Sequence, residues 1–200
     1  HSFPTRRSSD LKLQDKFMHK SYFFLIIIFL SSCSEETLPK PKAFLSLEFN
    51  KTMYKELTLS RPYAFEVSKS ATIINEPKNW LKIDYPLIGA SVDVTYRRID
   101  NNLRELLIES EKLVFKHTLK ADKISSNDYT NDENKVFGTL HEITGNAASQ
   151  IQFHITDSTD HFIKGALYFN TKPNYDSLLP AVQHIKKDIL HLMETLQWKK

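Results

Sequence analysis

Residues 22–30 read YFFLIIIFL, an unbroken apolar run that follows Lys20 and ends at Ser31, Ser32 and Cys33, the one cysteine of the chain. A membrane-spanning helix needs about 20 apolar residues to cross the hydrocarbon layer, so this run is too short to span. Behind a basic stretch and ahead of small residues, it has the form of the apolar segment of a secretory signal. Where a cleavage site is expected stand Leu30, Ser31, Ser32 and Cys33. This is the lipobox pattern of bacterial lipoproteins, in which the cysteine thiol is acylated and then becomes the new N-terminus. It predicts lipidation at Cys33, with palmitate-type chains holding the rest of the protein at a membrane. A plain signal peptide beside an unrelated cysteine, or a buried core strand, are the other readings of the same residues.

This placement divides the chain. Residues 1–17 precede Met18 and read as a non-native or unstructured leader, or else as a long natural n-region. Residues 18–32 form the signal peptide, 33–42 the lipidated cysteine with a Pro/Lys tether, and 43–200 a single globular domain. Removing residues 1–32 takes Arg6, Arg7, Lys12, Lys16 and Lys20 from 27 basic residues and Asp10 and Asp15 from 24 acidic ones, leaving 22 of each. A neutral body lacks the clustered cations that nucleic-acid binding requires. With Cys33 committed to lipid, no intrachain disulfide is available, so packing must supply the stability.

Glu35 and Glu36 follow Ser34 directly behind the cysteine. Such an acidic pair resembles the surface-export tag of Bacteroidetes lipoproteins, and equally suits a solvated start to a tether. The periplasmic face of the envelope is the expected location of the domain, with the cell surface as the alternative.

Within the domain, period-2 alternation predicts strands over residues 43–49, 63–67, 71–74, 80–85 and 90–96. In the last of these Val92, Val94 and Tyr96 share one face, while Ser91, Asp93 and Thr95 share the other. The short connections favour an antiparallel meander. Asn102 and Glu105 have capping-box spacing, and Leu103, Leu106, Leu107, Leu113 and Val114 predict a helix reaching Lys120. Residues 125–134, SSNDYTNDEN, have little to bury and are expected to form an exposed loop. Strands follow over 136–143, 151–156 and 162–170, the last two joined by a turn at 157–160. Ser177 is the expected cap of a closing helix, with Pro180 at its third position. Leu178, Val182, Ile185, Ile189, Leu192, Met193 and Leu196 form its apolar stripe. The fold class is therefore α+β, an antiparallel β-sheet covered by two main helices.

A search of the chain for catalytic chemistry returns no constellation. His141 and Glu142 lack the second histidine four residues on that a zinc helix requires. His184 and His191 lie seven residues apart, about 10 Å along a helix, too far to share an ion. His141, His154 and His161 fall in neighbouring strands and are expected to be satisfied surface residues. No G-x-S-x-G motif surrounds a serine, and four glycines do not make a phosphate loop. No catalytic, metal or cofactor residue is assigned. The 13 Phe and 8 Tyr should fill the core and leave some aromatics at the surface for a protein partner.

The stretch from Ile143 to Trp198 (ITGNAASQIQFHITDSTDHFIKGALYFNTKPNYDSLLPAVQHIKKDILHLMETLQW) resembles the C-terminal half of the GldD family of Bacteroidetes gliding-motility lipoproteins. CSEETLPKPKAFLSLEF, LKIDYPLIGASVDVTYRRIDNNL and FKHTLKAD are similar to its N-terminal and middle parts. The resemblance implies an envelope lipoprotein required for gliding and for the linked type IX secretion system, with no catalytic residue to carry across. Its expected partners are other gliding-motility lipoproteins and secretion-system proteins. Many members of that family carry cysteines where this chain has Arg61 and Asn79, which puts the rigidity of that hairpin in question. The element order is similar to the PsbP/Mog1-like α/β/α sandwich, whose members mostly bind partners. A non-enzymatic scaffold is thus the expected function, with a tethered small-ligand-binding domain as the alternative and an envelope enzyme last.

Overall fold

A computed structural model describes residues 52–116, 120–172 and 174–199. The expected strand at 43–49, Cys33 and the tether lie outside the described residues.

The centre of the fold is a seven-stranded antiparallel sheet of order β4-β5-β6-β10-β9-β8-β7. Its strands are β4 (Thr72–Asn75), β5 (Leu81–Tyr85), β6 (Ala90–Arg98), β7 (Ala121–Asn131), β8 (Val136–Gly145), β9 (Ser149–Thr156) and β10 (His161–Phe169). Two meanders, β4–β5–β6 and β7–β8–β9–β10, meet where β6 pairs with β10. Between them the chain crosses over through α1 (Leu103–Phe115). Outside the sheet, β1 (Tyr54–Glu56) pairs with β3 (Glu66–Ser68). After α2 (Tyr175–Thr195), the short β11 (Gln197–Trp198) returns to pair with β2 (Tyr63–Ala64). The α+β class read from the sequence is the class observed.

Local chemistry explains the tight connections. Lys78 and Asn79 both have positive φ, at 60° and 61°, in the tight turn between β4 and β5, which the Trp80 N–H closes by donating to the Pro77 carbonyl. The Asp157 side chain accepts backbone N–H groups from Thr159, Asp160 and His161 in the β9–β10 turn. Gly145 has φ of +96°, and a β-carbon there would press on the Asp122 nitrogen and the Lys120 oxygen. The glycine that ends β8 therefore lets backbone approach backbone.

Because successive strand residues face opposite ways, each strand sends one set of side chains to each layer. Ile151, Phe153 and Ile155 of β9 join Leu140, Ile163 and Leu167 in one core with Val182, Ile185, Ile189 and Met193 of α2. On the opposite face Val114 of α1 packs with Ile143 and Ala147.

Four expectations need correction. Residues 125–131 belong to β7, not to a loop; only 132–135 turn. β7 is an edge strand held by backbone pairing to β8, so its side chains need little burial. Helix α1 ends at Phe115 rather than Lys120, and the Asn102 side chain accepts from the Asp100 N–H instead of capping the helix. Helix α2 starts at Tyr175 behind Asn174, not at Ser177. Pro180 is thus its sixth residue, and the Asp176 carbonyl loses its i+4 partner. Finally, the predicted strand at 63–67 is interrupted at Phe65, with β2 and β3 pairing to different partners.

Candidate functional site

The histidines of the central strands divide between the two faces. His141 and His154 converge under α1, with ring centroids 6.3 Å apart. His161 points the other way, stacked on Trp198 at 5.0 Å, with its Nδ1 2.8 Å from the Tyr96 hydroxyl. The expectation of satisfied surface histidines fails for the first two. Each is only 7% exposed, and His141 Nε2 and His154 Nδ1 have no hydrogen-bond partner among the described residues. The cause lies in β9, whose polar residues Gln150, Gln152, His154 and Thr156 are all buried because α1 covers that face.

Electrostatics follow from that burial. Loss of solvent pushes His154 down to about 4, and the neighbouring His141 acts in the same direction. Burial also lowers His141, against the opposing influence of Glu111 and Asp128. Ser126 Oγ lies 2.8 Å from His141 Nδ1, a serine–histidine contact of the kind nucleophilic catalysis uses. The orienting third group is missing, since the other ring nitrogen is unpartnered, and an imidazole of lowered basicity is a poor general base.

A second polar cluster lies on α2 and was not singled out in the sequence. Asp188, 5% exposed, accepts hydrogen bonds from Tyr54 at 3.0 Å and from Tyr85 at 3.2 Å. Burial raises its carboxyl above the usual range, opposed by those two hydroxyls and by His184 and His191. Burial and the same carboxylate push Tyr54 up to about 12. The Tyr54 ring stacks at 3.6 Å on His191, whose Nε2 lies 2.7 Å from Glu66. These contacts tie β1, β3 and β5 to the closing helix. The signal available in the sequence was register: Asp188 stands three after Ile185 and four before Leu192, inside the apolar stripe.

Between α2 and the β7–β8 edge lies a groove of about 360 Å³ lined by Asn127, Tyr129, Leu140, Glu142, Lys186 and Met193, among others. Lys186 pairs with Glu142 at 2.7 Å, and Asn127 donates to the same carboxylate at 3.3 Å. The groove offers an apolar floor with a charged pair at its rim.

Arg61, 8% exposed, donates to the Tyr63 hydroxyl, the Asn75 side chain and the Trp80 carbonyl, while the Tyr63 hydroxyl donates to the Asn79 carbonyl. Arg61 is therefore bound by hydrogen bonds to the hairpin that holds Asn79. Among the described residues no group of three His, Cys, Asp or Glu is placed to hold a metal ion. No helix among them is long and apolar enough to cross a membrane. Large apolar side chains at the surface include Leu87, Met53, Phe115 and Tyr168, in separate elements and turns.

A family model described as gliding motility lipoprotein GldD matches residues 34–198. No curated protein matches the chain.

Proposed function

The chain belongs to the GldD family of gliding-motility lipoproteins, and from that membership we propose a lipid-anchored, non-enzymatic scaffold of the gliding machinery and the linked type IX secretion system. The family match over residues 34–198 carries this reading. Supporting it, two buried polar side chains join elements: Asp188 to Tyr54 and Tyr85, and Arg61 to Asn75 and Trp80. In this reading residues 18–32 are removed as a signal peptide, Cys33 carries the lipid and residues 33–42 tether a single domain on the periplasmic face. Its partners are other gliding-motility lipoproteins and secretion-system proteins.

Affinity purification of the tagged protein from its own membranes tests the scaffold, run beside Glu142→Ala, Asp157→Ala and His161→Ala variants assayed for gliding. Recovery of gliding or secretion components, with every folded variant still motile, is the expected result. One folded polar variant that cannot glide, with no partner recovered, would move the assignment to an enzyme. Protease added to intact cells separates the two faces, since digestion with an undamaged outer membrane would place the domain at the surface.

The groove lined by Asn127, Tyr129, Glu142 and Lys186 favours a second reading, a tethered domain for a small polar ligand. That reading requires a melting temperature that rises with a low-molecular-weight extract of the envelope and no longer rises in Lys186→Ala.

A further inference from the structure

Helix α1 rests on a face of the sheet that contains two imidazoles with nowhere to put a charge. His141 of β8 and His154 of β9 are each more than nine-tenths buried, and each keeps one ring nitrogen without a partner among the described residues. An imidazolium donates from both nitrogens, so a proton on either ring leaves a buried donor unmet. That charge would also form beside the other histidine and, for His154, against the Phe162 ring stacked on it at 5.8 Å.

The charged groups on the surrounding elements do little to offset it. From α1, Glu109 is engaged by Arg97 at 2.7 Å and by Lys164 at 3.2 Å. Glu111 of the same helix acts on His141 through space, without a hydrogen bond to it. From β7, Asp128 accepts from Thr139 at 3.0 Å and reaches the rings only through space. From β10, Lys164 stands in register with His154 and opposes a second positive charge.

We propose that His141 and His154 form an acid-sensitive latch beneath α1: with both rings neutral the helix lies closed on the sheet, and a proton on either ring lifts it. Lifting α1 uncovers Ile143 and Ala147, against which Val114 packs, so the latch couples acidity to the display of an apolar strip. The sign follows from linkage. Burial holds His154 at about 4, while a ring returned to solvent titrates near ~6.5. The open form therefore binds more protons across that window. The closing contribution is fully present above the solvent value and is lost as pH falls towards the buried one. Within the window, opening gains up to about tenfold per pH unit for each linked proton.

Hydrogen exchange of the full chain in detergent, at about pH 7 and about pH 5, tests the latch. Expressed as protection factors, the intrinsic pH dependence of exchange divides out. We expect protection over Leu103–Phe115 to fall by about tenfold or more at the lower pH, while α2 holds. A His141→Gln/His154→Gln double variant, which cannot take up these protons, should show no such fall. Should that variant not fold, nuclear magnetic resonance titration of the two rings in the unsubstituted chain decides the question. Rings that titrate together with the loss of α1 protection support the latch. Rings that titrate near the solvent value while α1 stays protected overturn it, and so does parallel loss of protection in α1 and α2.

Discussion

Gly165 lies directly beneath the ring of Phe153: the two residues are cross-strand partners in β10 and β9, and a β-carbon on Gly165 would overlap the aromatic carbons. Phe153 is fully buried in the core shared with α2, so its ring has little room to retreat. The glycine is required here for space.

Gly165→Ala should therefore destabilise by about 1–3 kcal/mol through overpacking. Urea unfolding monitored by circular dichroism checks this. Adding Phe153→Leu should recover part of the loss; strictly additive losses would show that the two positions do not interact.

Replacing Ile189 by Asp places a charge at a site 1% exposed in the centre of the α2 stripe. The expected loss is about 3–5 kcal/mol, a large share of the ~5–15 kcal/mol that holds a domain together. A thermal melt that kept its midpoint would mean that the stripe does not carry the core.

Asp188 gives a prediction with a defined pH direction. Its carboxyl is raised by burial, so its contribution is fully present below the ordinary carboxylate range and is lost as pH rises through the raised value. Asp188→Asn resembles the protonated form and cannot ionise. Relative to the unsubstituted protein, the variant should gain stability as pH rises from about 4 towards neutrality. A stability difference independent of pH would contradict the assignment.

Cys33→Ala should move the protein from the membrane to the soluble fraction and abolish labelling by a fatty-acid analogue. Labelling that persists in the variant would remove the anchor from the functional reading.

Arg61 makes hydrogen bonds to Tyr63, Asn75 and Trp80 from a site 8% exposed. Its replacement by Ala should cost about 1–3 kcal/mol in unmet polar groups. Exchange should quicken first over β4–β5, and equal loosening throughout the sheet would argue against a local tie.

What the sequence disclosed, and what it concealed, follows from what periodicity measures. Val92 and Val94 against Ser91 and Asp93 gave the facing of β6, and the Ile185–Ile189–Leu192 stripe gave that of α2, because apolar burial repeats with the backbone. β7 was hidden for the converse reason. An edge strand is held by main-chain bonds, and only Ile124, Ser125, Tyr129 and the terminal Ala121 and Asn131 are even half-buried. β9 misled differently: SQIQFHIT alternates like a strand with one wet face, yet all eight of its residues are buried. His154 is expected at the surface, yet α1 lies over it. Asp188 escaped notice because charge in a long helix is ordinarily solvated, and only tertiary packing brings Tyr54 and Tyr85 to it.

The pairing of β11 with β2 joins Gln197 to Ala64 and Trp198 to Tyr63, across 133 and 135 positions of the chain. Contacts so distant in sequence cannot form until Trp198 has emerged, whether from a ribosome or from a membrane pore. Until then β2 waits without its partner strand. A chain cut short before Gln197 would therefore leave Tyr63 and Ala64, far upstream of the cut, without their partner strand and open to proteolysis.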